Sequence, residues 1–366
     1  MRVLFAIAHL DKGGGQVVQT LQLFRVLRKK VDGHLLCLSA RGDGPSIDLE
    51  EGIEVVGPLT FPGGIFRLRR AIRDRMRSYD LVQAYDFYYA LPAARLARAH
   101  PIVVRVGAHP VDDFGSRYRW AGRTWMRLTN PWVYSDTTVV VNAEHLVSTF
   151  PRGKAVCIPN GVDTSRFAAS PRVDAARTEL GLPLGAPLLT FTGKIVPRKN
   201  LEDLFGLLRN EPTYHVLLVG TTSEPYYGDQ YYRRLCAEFS DVLSRVHSVG
   251  EVPMEKIPRF LEATDVFVFP SRLEGMPNSV LEAMAAALPV VASDIPAHQQ
   301  VLTRETGALY RTTDELRQAV ARLVADGSVR RAMGGRARAL VEQRFSLDAA
   351  ARAYLALYEQ TIAAAK

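Results

Sequence analysis

The sequence holds only three cysteines in 366 residues, Cys37, Cys157 and Cys236, and they lie far apart. No CxxC pair or Cys/His cluster accompanies them, which excludes a zinc site and a disulfide framework. Isolated thiols of this kind read as buried and reduced, and a reducing cytoplasm follows. No apolar run approaches the ~20 residues that a membrane-spanning helix needs. The first residues read MRVLFAIAHLDKGGG, a short apolar run closed by charge with no Ala-x-Ala-like site behind it. That pattern is a first buried strand rather than a signal peptide. Low-complexity tracts and internal repeats are missing. No Asp-x-Asp motif stands at a strand end, so a divalent metal is not expected.

What is present is an ordinary globular composition, 47% hydrophobic and 23% charged. A single core stops growing at roughly 250–300 residues, so two domains are expected. The formal charge of +8 is spread unevenly. Residues 1–165 carry 22 Lys and Arg against 15 Asp and Glu, and the remainder 24 against 23. The first half therefore suits an anionic partner. Nucleic acid is disfavoured, because no recognition module accompanies the charge.

Short apolar runs alternate with amphipathic ones. Strand-like runs are Val3–Ala8, His34–Leu38, Leu81–Ala84, Ile102–Val106 and Thr138–Val141, then Leu188–Thr192, Val216–Val219, Val266–Phe269 and Val290–Ala292. Helix-like runs between them include Val17–Lys29, Leu201–Leu208, Asp229–Phe239, Ser279–Ala287 and Thr313–Leu323. Strands without internal alternation, interleaved with helices, indicate parallel sheets covered on both faces. The fold class is α/β, with two Rossmann-like doubly wound domains. Turn residues gather at Asn160–Ser170, which predicts domains at 1–164 and 165–346, with the terminal helix 347–366 packing back on the first. Ligands of such sheets bind beyond the carboxyl ends of the strands. Two sheets facing each other across a cleft would put the chemistry in the strand-to-helix loops.

Three loops carry that chemistry. In the first, Gly14 and Gly15 open a helix after the first strand, either as a tight turn or as an anion-binding backbone. GxGxxG fails there, because Val18 holds the third glycine position. In the second, Gly193–Asn200 places Lys194, Arg198 and Lys199 at a strand end. Those cations either clamp a diphosphate or are merely solvated. In the third, Glu274, Gly275, Met276, Pro277, Asn278 and Ser279 lead into a helix that contains Glu282. A carboxylate there accepts from the paired hydroxyls of a ribose. Ser279-x-x-Glu282 equally fits a capping box, which would make Glu282 a helix-end device.

These loops, in this order, resemble the retaining glycosyltransferases of the glycogen-synthase-like group called family 4, which have the GT-B fold. Ile158-Pro159-Asn160-Gly161-Val162-Asp163 with Phe167 is similar to the family's linker. Gly193-Lys194 through Lys199 is similar to its donor clamp, and Glu274 with Glu282 to its paired-glutamate signature. The resemblance implies sugar transfer with retention. The donor would be a nucleoside diphosphate sugar, UDP- or GDP-linked. The acceptor would be lipid-linked, a glycan or a small molecule, in cell-envelope or polysaccharide biosynthesis. No cofactor is implied beyond the donor. Gly14 and Gly15 would face the donor diphosphate or sugar, Lys194 and Lys199 the diphosphate, Glu274 the transferred sugar and Glu282 the ribose. His109 would stand near the reacting carbon on the acceptor side. Lys194 replaces the family's arginine, Ala287 a usual glycine, and Gln300 lies near a usual glutamate. An epimerase or hydrolase on the same fold, or an inactive sugar-nucleotide-binding subunit, are the competing readings.

One pattern points elsewhere. In Ile65–Arg77, Ile65, Leu68, Ile72 and Met76 recur at helical spacing among Arg67, Arg69, Arg70, Arg73, Arg75 and Arg77. Arg117–Trp132 adds three tryptophans among four arginines. Basic amphipathic stretches with aromatics suit an anionic membrane surface. A peripheral location on the inner face of a membrane is the resulting expectation, against the plainer reading that the stripe packs on its own sheet.

Overall fold

The structure, a computed structural model, describes residues 1–10, 15–39, 51–107, 136–150, 153–167, 173–222 and 228–366. The chain divides into two units, Met1–Gly161 with Leu347–Lys366, and Val162–Ser346.

The first unit is built on seven parallel strands, β1 (Arg2–His9), β2 (Asp32–Ser39), β3 (Ile53–Val55), β4 (Leu81–Ala84), β5 (Ile102–Val106), β6 (Thr137–Val141) and β7 (Ala155–Cys157). Their order is β3-β2-β1-β4-β5-β6-β7. The central strands are apolar throughout because both faces are covered. Along β5, Ile102, Val104 and Val106 feed one layer, beneath the helices Gly63–Arg75 and Ala90–Leu96. Val103 feeds the other, shared with helix Gly15–Arg28 and the terminal helix Leu347–Ala365. Tyr354 and Tyr358 of that terminal helix are buried in this layer beside Phe5 and Phe24.

The second unit has six parallel strands, β8 (Leu188–Thr192), β9 (His215–Val219), β10 (Val246–Gly250), β11 (Val266–Phe269), β12 (Val290–Ser293) and β13 (Gly307–Tyr310). Their order is β10-β9-β8-β11-β12-β13. In both sheets the strand order reverses at one place, between β1 and β4 and between β8 and β11, the switch point where doubly wound sheets bind ligands. The second unit begins and ends at one point. Val162 and Ser346 form a β-bridge, and the Val162 N–H donates to the Phe345 carbonyl at 2.8 Å.

The apolar stripe expected to face lipid is used elsewhere. Leu68 and Ile72 are fully buried in the core of the first unit, with Ile65 and Met76 packed partly buried against it. Helix Gly63–Arg75 must cover its own sheet, and that takes the whole stripe. Its arginines are left outside. Arg69 donates to the Leu96 carbonyl at 3.1 Å and Arg75 to Glu54 at 2.8 Å, while Arg73 is exposed. Phe61 and Phe66, just before and within this helix, are 74% and 56% exposed. Residues 117–132 lie outside the described residues. None of the three cysteines is in a disulfide; Cys37 is buried while Cys157 and Cys236 are partly exposed.

Candidate active site

The loops after β8 and β11 flank the switch point of the second unit, and they bring two of the expected residues together. After β8 the chain turns through Gly193, then a short 3-10 turn at Pro197–Lys199 that ends on Asn200 in the left-handed conformation (φ 52°). Gly193 can be followed so closely by the neighbouring strand end only because Gly220 lacks a side chain. A Cβ on Gly220 would lie 1.8 Å from the Gly193 carbonyl oxygen. The 3-10 turn directs Lys199 inward. Its Nζ is 2.6 Å from Glu274 Oε1, and each side chain is 9% exposed. The ammonium also sits 4.5 Å from the centre of the Phe269 ring, at the end of β11.

Glu274 is held from several sides. Ser271 Oγ donates to Oε1 at 2.5 Å, and Arg198 lies 3.7 Å away, half exposed. The two loops are laced together, since the Arg272 N–H donates to the Arg198 carbonyl at 2.8 Å. Ser293, at the end of β12, donates in turn to the Ser271 carbonyl. Next to it, His298 is fully buried and its Nδ1 lies 2.7 Å from the Ser293 carbonyl. Nδ1 carries the proton that donates there; burial holds the imidazole below its usual range, so in the neutral ring Nε2 keeps a lone pair, and that atom has no hydrogen-bond partner among the described residues. Burial pushes the Lys199 ammonium below the ordinary lysine range; Glu274 works against this, and Arg198 and Lys194 add to it. A concentrated, partly desolvated positive charge is what a departing diphosphate requires.

Glu282 is not the capping-box partner that its spacing also allows. Helix Asn278–Ala285 starts two residues earlier than a capping box needs. Its N-cap is Pro277, and no side chain caps it. Ser279 is therefore inside the first turn, and Glu282 is free of any end-capping duty. The chain does form a capping box, but at Thr312 and Glu315. The Glu282 carboxyl is partly buried, and burial raises it to about 7, opposed by the Arg166 guanidinium. Met276 and Pro277 are buried beneath the loop, while Gly275, Asn278 and Ser279 are partly exposed along it. Lys194 is likewise partly exposed.

Ala287 closes the same helix with φ 58°. That conformation costs a non-glycine residue about 1–2 kcal/mol, and it explains why glycine is the usual residue there. Gly15 opens helix Gly15–Arg28, whereas Gly14 and His109 lie outside the described residues. Ser271, Ser293 and His298 escape a reading of the sequence, because a lone serine or histidine after a strand carries no spacing signal.

Comparison with known proteins agrees with this layout. Residues 13–166 match the family described as Glycosyltransferase Family 4, and residues 186–326 match Glycosyl transferases group 1. A GDP-mannose-dependent alpha-(1-6)-phosphatidylinositol monomannoside mannosyltransferase of Mycolicibacterium smegmatis is 30% identical over 267 residues, covering 66% of this chain and 68% of that protein. The chain belongs to glycosyltransferase family 4. A second relative of this family 4 chain is the GDP-mannose-dependent monoacylated alpha-(1-6)-phosphatidylinositol monomannoside mannosyltransferase of Corynebacterium glutamicum, 28% identical over 206 residues. That alignment spans about half of each protein, 52% in both cases. Among solved structures, sucrose-phosphate synthase from Thermosynechococcus elongatus superposes over 100% of both chains with a TM-score of 0.81 at 24% identity. The fold of the family 4 chain is thus the expected GT-B architecture of two Rossmann-like units.

Proposed function

We propose that this chain transfers a sugar from a nucleoside diphosphate sugar to an acceptor hydroxyl with retention at the anomeric carbon. The bond broken joins the anomeric carbon to the diphosphate, and the bond formed joins that carbon to the acceptor oxygen. The observation that carries this reading is the buried Lys199–Glu274 pair at the switch point of the second sheet. Lys199, with Lys194 and backbone N–H groups at the start of helix Asn278–Ala285, receives the charge that grows on the leaving diphosphate. Glu274 contacts the transferred sugar and Glu282 the ribose. Retention rests on the family resemblance, and the two mannosyltransferase relatives make GDP-mannose the first donor to try.

A thermal-shift screen of GDP-mannose, UDP-glucose and their free nucleotides tests the donor. One nucleotide sugar should raise the melting temperature by several degrees, by mass action. The same donor should yield a transferred product, and EDTA should leave the rate unchanged because cations of the protein face the diphosphate. Free sugar or an isomer as the sole product would favour the hydrolase or epimerase reading. Activity lost to EDTA and restored by magnesium would overturn the lysine-based account.

We also propose that the first unit attaches reversibly to anionic lipid. With the apolar stripe spent on the core, attachment relies on Arg69, Arg70 and Arg73 and on exposed Phe61 and Phe66. Each basic residue near such a surface contributes about 1 kcal/mol. Vesicles of phosphatidylglycerol and phosphatidylcholine should sediment the protein at low salt and release it at high salt. Replacing the three arginines by glutamine should abolish binding. Equal recovery in the supernatant with anionic and neutral vesicles would exclude the attachment.

A further inference from the structure

Two buried arginines in this chain are treated in opposite ways. Arg177, 4% exposed, pairs with Asp265 at 2.6 Å and donates to the carbonyls of Ala263 and Ala186. Every part of its charge is answered. Arg105, 5% exposed, has no carboxylate partner among the described residues. Its Nη2 donates to the neutral Asn160 side chain, and its Nη1 has no hydrogen-bond partner among the described residues. A guanidinium taken out of water without a counter-charge is among the most costly groups a core can hold.

The groups around Arg105 are neutral. It lies in β5 directly opposite Val140 of β6, and Val140 belongs to the layer under the terminal helix. Tyr85, Tyr354 and Tyr358 are in that layer as well. Burial raises all three phenols, and the Arg105 charge opposes the rise at each, so the guanidinium is within electrostatic reach of all of them. Tyr358 is satisfied, donating to Gln83 at 3.1 Å. Tyr354, 1% exposed, has a hydroxyl with no partner. Asn142, one residue beyond the register pair Val106–Val141, has an unpartnered side-chain oxygen. This is the carboxyl end of the sheet, the end at which doubly wound domains take ligands.

We propose that Arg105 and Tyr354 form a site for a small oxyanion of the phosphate class, either free or carried on a sugar. The guanidinium supplies charge and a fork of donors, and the tyrosine a further O–H. This site belongs to the first unit and does not rest on the donor reading of the second.

The test compares melting temperatures in potassium phosphate and in potassium chloride at equal ionic strength, with glucose 6-phosphate as a second probe. The wild-type chain should gain roughly 2–4 °C with phosphate. Lys199→Ala, which removes the clamp of the other unit, should keep that gain. Arg105→Met should lose it, and should melt higher than wild type in chloride, because an unanswered buried cation has been replaced by an apolar side chain of similar length. If Arg105→Met does not fold, Tyr354→Phe carries the test by weakening calorimetric phosphate affinity at least tenfold. A larger gain with glucose 6-phosphate than with phosphate assigns the anion to a sugar. No gain with either probe, or a gain lost in Lys199→Ala and kept in Arg105→Met, would overturn the site.

Discussion

Lys199→Ala should lower kcat by about a hundredfold or more with saturating donor, the loss found when one preorganised donor to a developing charge is removed. It should also lower the melting temperature. Glu274 is left 9% exposed with Ser271 as its hydrogen-bond donor and Arg198 at 3.7 Å. Breaking a buried ion pair from one side costs about 3–5 kcal/mol, mostly through the charge left behind. The double variant Lys199→Ala/Glu274→Ala should therefore recover part of the stability while transfer stays absent. Near-normal kcat in the single variant would remove Lys199 from the chemistry.

Glu282→Gln should stabilise the free protein and weaken its hold on nucleotide. The sign follows from linkage. The folded carboxyl titrates near 7, above its ordinary 4.5, so the native state keeps a proton that the unfolded chain has lost. Stability then falls as pH rises from about 4.5 to 7, and the deficit is complete above 7. Allowing for its partial exposure, the deficit is on the order of 2 kcal/mol, or roughly 4–8 °C. The amide removes it, so the variant should melt higher at pH 8 and equally at pH 4.5. Nucleotide affinity should fall about 10- to 100-fold, because hydrogen bonds to a charged group are lost. In the wild type that affinity should tighten as pH rises through 7, and in the variant it should not. Unchanged affinity at pH 8 would take Glu282 out of the ribose site.

Much of this was legible from the sequence, and the gaps have one physical origin. Nine strands are recognisable as apolar runs, and each reappears in the sheets with its ends unchanged or moved by at most two residues. The four that escape are β3, β7, β10 and β13, which are the four sheet edges. An edge strand is half solvated, so Ile53–Val55 and Val246–Gly250 carry no buried residue and hence no apolar run. Lys199 and Glu274 were both legible, from loops 75 positions apart. Their pairing was not, since it depends on β8 and β11 being neighbours. The basic stripe at Ile65–Met76 shows the converse. Helical periodicity reveals that a face is apolar, and says nothing of whether sheet or lipid covers it.

The bridge between Val162 and Ser346 bears on ancestry. A segment whose two ends touch can be lifted out of a host chain, or set into one, without stretching either partner. Gly161 and Leu347 flank that segment, so the first unit would close over its loss with a short turn. A unit closed in this way can be exchanged whole, so the two units of one such protein need not share a single history.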